Sequence, residues 1–113
     1  MKRQRLCSLS DIPDGDSAGF TIDGDDGYPR DLIAVRKEQA VYVYDNNCPH
    51  IGAPLDFVPG QFLDAAKEYI FCSNHAALFR IEDGHCVWGP CAGEDLEPLV
   101  VDIKGDDVFI TPK

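Results

Sequence analysis

Short apolar runs recur along this chain, each bounded by clusters of Gly, Pro, Asp and Asn that favour turns. The runs predict strands. Gln4 to Leu9 reads as the first, ended by Ser10-Asp11-Ile12-Pro13-Asp14-Gly15, and Ala18 to Ile22 as the second. Asp23-Gly24-Asp25-Asp26-Gly27-Tyr28-Pro29 then predicts an exposed acidic loop. Leu32 to Arg36 and Ala40 to Tyr44 are rich in β-branched and aromatic residues and read as a hairpin across Lys37-Glu38-Gln39. In its second arm Val41 and Val43 face opposite to Tyr42 and Tyr44.

Farther on the pattern is mixed. From Ala53 to Glu68 no regular element is assigned, although Phe57, Phe62 and Leu63 are expected to pack around Pro59-Gly60, and a short helical turn is compatible with Leu63 to Lys67. Tyr69-Ile70-Phe71 reads as a strand running into Cys72. Ala77 to Ile81 reads as another, turning at Glu82-Asp83-Gly84 into His85 to Trp88. Leu99 to Ile103 and Val108 to Thr111 close the chain as a hairpin around Lys104-Gly105-Asp106-Asp107. Nothing has the length or the 3.6-residue period of a long helix. The expected fold class is all-β, an antiparallel β-sandwich of short strands forming one domain over residues 1–113.

Composition narrows the function classes. Ten Lys and Arg stand against 20 Asp and Glu, a net charge of -10, and three of the ten basic residues fall within the first five positions. Such a field disfavours nucleic acid and anionic membrane and favours a partner with a basic face, although acidity also serves solubility alone. Met1-Lys2-Arg3-Gln4-Arg5 looks like the start of a signal peptide, yet Leu6-Cys7-Ser8-Leu9-Ser10-Asp11 is no apolar core for one. No stretch approaches the ~20 apolar residues of a membrane span, so a soluble, cytoplasmic protein is expected.

Candidate chemistry gathers in two stretches, Cys48-Pro49-His50-Ile51-Gly52 and Cys72-Ser73-Asn74-His75. Each holds one Cys and one His. A 2Fe-2S centre with two thiolates on one iron and two imidazoles on the other takes its ligands as such mixed pairs. The same four side chains could also close a tetrahedral zinc shell, but zinc modules usually pair Cys with Cys and His with His. The five cysteines are an odd number, and Cys7, Cys86 and Cys91 remain outside the pairs. They are expected to be reduced, partly buried thiols, with contact between Cys86 and Cys91 across Val87-Trp88-Gly89-Pro90 as the alternative.

On these motifs the chain resembles the Rieske 2Fe-2S family, and the likeness continues through Gly52, Pro54-Leu55, Ala77-Leu78-Phe79, Gly84 and Gly89-Pro90. The span between the loops is a few residues longer than most members have. The resemblance implies one Rieske-type 2Fe-2S cluster in a small subdomain from about Asn46 to Pro90. Cys48 and Cys72 would bind the inner iron, His50 and His75 would bind the solvent-facing one through Nδ1, and Gly89-Pro90 would correspond to the proline loop that covers the cluster. High-potential members carry an additional Cys in each loop and hydroxyl donors from a Ser and a Tyr. Ala53, Asn74, Ala77 and Phe79 stand at those positions here, which implies a low potential.

Histidine arithmetic separates the functions that such a centre serves. An oxygenase needs a further mononuclear iron, commonly held by two His and a carboxylate. The chain has three His, and two are taken by the motifs. His85 alone cannot build that site, and it is expected to be an exposed strand-edge residue after the Asp83-Gly84 turn. No nucleophile, phosphate loop or small-molecule substrate site stands out. The expected function is therefore that of a ferredoxin, not itself an enzyme, passing single electrons from a reductase to an oxygenase or other redox enzyme. The alternative is a small 2Fe-2S subunit of a larger reductase, resembling that of assimilatory nitrite reductase.

Overall fold

Four consecutive apolar residues, Leu32 to Val35, are all buried, and their alternation sets the layering of the molecule. The computed structural model describes residues 3–23, 27, 29–47, 62–64, 66–72, 77–89 and 93–111. Within them the strands are β1 (Gln4–Ser8), β2 (Ser17–Asp23), β3 (Pro29–Lys37), β4 (Ala40–Asp45), β5 (Tyr69–Cys72), β6 (Ala77–Arg80), β7 (Cys86–Trp88), β8 (Val100–Lys104) and β9 (Asp107–Thr111). They pair antiparallel as three sheets of order β1-β9-β8, β2-β3-β4 and β5-β6-β7. The expected all-β, antiparallel architecture is the one observed.

Successive side chains of a strand point to opposite faces. Leu32 and Ala34 of β3 therefore join one core with Cys7, Leu9, Ile12, Val41, Val43, Leu99, Val108 and Ile110. Ile33 and Val35 join the other, with Tyr44, Phe62, Ile70, Cys72, Ala77, Phe79, Ile81, Cys86 and Leu96. The β2-β3-β4 sheet is thus covered on both faces at β3. Burying a strand on both faces removes the polar alternation that a half-exposed strand shows, which is why Leu32 to Val35 reads as an uninterrupted apolar run. As expected, Val41 and Val43 go to the first core, and Tyr44 with partly buried Tyr42 goes to the second.

Boundaries shift where side chains compete for backbone partners. The first strand stops at Ser8, whose N–H donates to Asp11 Oδ2 at 2.8 Å, and Leu9–Asp11 form a 3₁₀ turn. The helical turn compatible with Leu63 to Lys67 does not become a helix among the described residues. Leu63 bridges Ile70 instead, Lys67 N–H donates to Asp64 O at 2.9 Å, and Asp64 Oδ1 accepts from the N–H groups of Glu68 and Tyr69. Phe62 is fully buried, while Phe57 and Pro59-Gly60 lie outside the described residues, as does most of the acidic loop after Asp23.

Candidate metal centre

The segment that leads into Cys48 is fixed from three sides. Asp45 ends β4, where its N–H donates to Glu97 O at 2.9 Å, and Asn46 N–H donates to Asp31 O at 2.9 Å. The Asp45 carboxylate takes two hydrogen bonds from the Arg30 guanidinium, Nε to Oδ1 at 2.6 Å and Nη2 to Oδ2 at 2.9 Å. This fork-to-fork pair is about three-quarters buried, 25% and 19% exposed, and bidentate geometry gives it direction as well as strength. Arg30 is the second residue of β3 and Asp45 ends β4, so the pair closes the hairpin at the end from which the Cys48 segment leaves. Nothing in the sequence singled out Arg30, because its partner is set by hairpin register.

Cys72 is the predicted ligand that the structure describes; Cys48, His50 and His75 lie outside the described residues. Strand period explains its position. Ile70 and Cys72 fall on the buried face of β5, and both are fully buried. Across the ladder Ile70 faces Phe79 and Cys72 faces Ala77. Ala77 is the first residue of β6, so residues 73–76, His75 among them, form the connection between two paired strand ends.

Gly89 then follows β7 with φ +109°, and a Cβ built on it would stand 2.7 Å from Ala77 Cα and 2.9 Å from Ala77 Cβ. Only glycine lets the backbone approach so closely at that dihedral. The segment preceding Pro90 is thereby seated against the first residue after the Cys72 loop. Pro90 itself lies outside the described residues.

Tyr44 ties the two loop supports together. Its hydroxyl donates to Ile81 O at 2.6 Å, and its ring lies so near Gly84 that a Cβ there would meet Tyr44 Cε1 at 2.7 Å. Burial pushes the phenol well above its ordinary value, so it remains a neutral donor. Through this contact β4, which feeds the first motif, is fixed to the turn between β6 and β7, which follow the second.

His85 is partly exposed at the sheet margin, where it bridges Asp95 and its Nδ1 meets Asp95 Oδ1. Cys86 is buried, with Sγ donating to Trp88 O at 3.3 Å, and Cys91 lies outside the described residues. Cys7 is buried in the first core, where desolvation, helped by nearby Asp11, raises its thiol to about 11. Trp88, which the sequence reads as the end of a strand, is 61% exposed.

The described part of the site fits a thiolate-held cluster. A fully buried Cys at a strand end, facing a residue no larger than Ala, gives a soft ligand shielded from water. Among the described residues, which include only Cys72 of the four candidate ligands, no group of three His, Cys, Asp or Glu gathers to hold a metal ion.

Comparison with known proteins agrees with this geometry. The ferredoxin component of the naphthalene 1,2-dioxygenase system of Pseudomonas aeruginosa is 28% identical over 103 residues, spanning 91% of this chain and 88% of that protein. Among solved structures, the ferredoxin of carbazole 1,9a-dioxygenase from Nocardioides aromaticivorans IC177 matches over 100% of both chains at 25% identity with a TM-score of 0.78. A chain of the complex of reduced oxygenase and oxidized ferredoxin in carbazole 1,9a-dioxygenase shares the fold at 21% identity, with a TM-score of 0.71 over 96% of this chain and 91% of that one. The family model of the Rieske 2Fe-2S domain matches residues 2–109, nearly the whole length, and the chain therefore belongs to that family, whose defining group is a single 2Fe-2S cluster.

Proposed function

We propose that this chain is a ferredoxin-type carrier that moves single electrons through a 2Fe-2S cluster held by Cys48, His50, Cys72 and His75. The observation that carries the reading is the pair of Cys and His motifs in a Rieske-family chain, with Cys72 fully buried at the mouth of the short connection that contains His75. Such a cluster supplies a one-electron site whose potential is raised by imidazole in place of two thiolates.

The chain's own residues would do the rest. Cys72, drawn into the second core by strand period, would hold the inner side of the cluster away from water. The Arg30–Asp45 pair and the Tyr44 clamp would hold the two loops at fixed separation, so that little reorganises when an electron arrives. Donor and acceptor would be redox proteins, a reductase on one side and an oxygenase or other redox enzyme on the other. The ferredoxin-named relatives support this, and the net charge of -10 favours a basic docking face on the partner.

Metal and sulfide analysis of the purified protein tests the assignment. Two irons and two acid-labile sulfides per chain are expected, lost on Cys48→Ser or Cys72→Ser and kept in Cys7→Ser. One zinc and no labile sulfide would overturn the reading.

A further inference from the structure

We propose that Trp88, with Val87 beside it, is the apolar anchor by which this protein docks an electron-transfer partner whose own cofactor opens on an apolar spot ringed by Lys and Arg. The inference rests on the carrier reading given above and adds to it the surface that is used and the chemistry of its partner.

Three observations carry it. Trp88 is the chain's only tryptophan and is 61% exposed, and Val87 next to it is 42% exposed. Neither side chain belongs to either core, and aromatic residues are the commonest anchors of protein interfaces.

Position is the second observation. Trp88 pairs with Leu78 and is followed directly by Gly89, which is seated on Ala77, two residues beyond His75. Electron transfer requires the partner to approach the cluster closely, and this patch lies at the end of the β5-β6-β7 sheet from which the proposed ligand loop springs.

Charge is the third. The 93–95 segment runs beside β7, with Cys86 N–H donating to Glu94 O at 2.8 Å and Gly93 N–H donating to Cys86 O at 3.3 Å. Glu94 and Asp95 are both exposed there; His85 Nδ1 is set against Asp95 Oδ1, and exposed Arg80 on β6 is forked to Asp83. An apolar centre with an acidic margin, on a chain of net charge -10, is complementary to an apolar centre with a basic margin.

The experiment uses the cluster-loaded protein, chemically reduced and freed of reductant, mixed by stopped flow with cytochrome c, a basic protein whose haem edge is apolar and ringed by lysines. One electron passes from the reduced cluster to the ferric haem. For Trp88→Ala, the second-order rate should fall about tenfold, as expected for loss of an interface anchor, with visible spectrum and midpoint potential unchanged. Trp88→Phe should recover most of the rate, and Val100→Ala, exposed on β8, should match wild type.

Equal rates for wild type and Trp88→Ala would overturn the docking surface while leaving the carrier reading intact. No reduction of cytochrome c by wild type would overturn both. Sedimentation separates a remaining occupant: a wild-type dimer that becomes a monomer on Trp88→Ala would show that a second copy of this chain covers the patch, and would overturn the proposal.

Discussion

Replacing Gly89 by Ala tests whether the segment before Pro90 is held against β6 as the structure has it. Two costs arise, and they can be measured apart. A residue with Cβ at φ +109° is strained by about 1–2 kcal/mol. The new methyl would also lie 2.7 Å from Ala77 Cα and 2.9 Å from Ala77 Cβ, against an optimum of about 3.5–4.0 Å for two carbons. Ala77 is fully buried and paired with Cys72, so relief must come from moving backbone, which in a packed core costs about 1–3 kcal/mol. Gly93→Ala is the control, because its φ is +93° and nothing lies within 4 Å of the added atom. Strain alone should lower the melting temperature of Gly93→Ala by about 4–8 °C, at roughly 4 °C per kcal/mol for a chain of this size. Gly89→Ala should melt roughly 8–20 °C lower than wild type on the same scale. It should also lose its visible cluster absorption faster under a chelator, since the shift is forced on the residue facing Cys72. Circular dichroism melts of the cluster-loaded proteins, with bleaching followed in parallel, read both. Equal melting temperatures for the two variants would refute the close approach of Gly89 to Ala77.

Other substitutions test other contacts. Tyr44→Phe leaves the Ile81 carbonyl without its 2.6 Å donor in the core and should cost about 1–3 kcal/mol in urea unfolding; no loss would show that the clamp contributes nothing. Phe79→Tyr and Ala77→Ser, on the buried face shared with Cys72, should each raise the midpoint potential if the new hydroxyl reaches cluster sulfur. One hydrogen bond of about 1 kcal/mol corresponds to about 40 mV for a one-electron couple, and film voltammetry showing no rise in either variant would sink that account. Burial holds the Cys7 thiol at about 11 against 9.0 for the free group, so the folded state keeps a proton that the unfolded chain loses. Its stabilising effect is therefore complete below pH 9 and declines as pH rises towards 11. Cys7→Val should flatten that alkaline decline in unfolding experiments, and an unchanged pH profile would show that the thiol is not responsible.

Strand content was legible in the sequence because its causes are local. Period-two runs such as Tyr69-Ile70-Phe71-Cys72, and turn residues such as Glu82-Asp83-Gly84, act over a few neighbours and predict elements close to those observed. The ligand candidates were legible for the same reason, since Cys-x-His and Cys-x-x-His are short motifs whose residue types carry the chemistry. The structure gives Cys72 a buried strand-end position, and Cys48, His50 and His75 lie outside the described residues.

Tertiary structure decided what depends on partners far away along the chain. That β1 pairs with β9, or that β3 is buried on both faces, follows from which sheets come to lie against one another. Gly84 and Gly89 read in sequence as turn residues; only packing shows that Tyr44 and Ala77 occupy the space their side chains would need. The Arg30–Asp45 fork depends on hairpin register, because Arg30 reaches a residue fifteen positions later. Trp88 is the sharpest case. Apolar residues are found both inside and outside folded proteins, so its hydrophobicity could not say where it lies, and only its place at the end of the β5-β6-β7 sheet leaves it facing water.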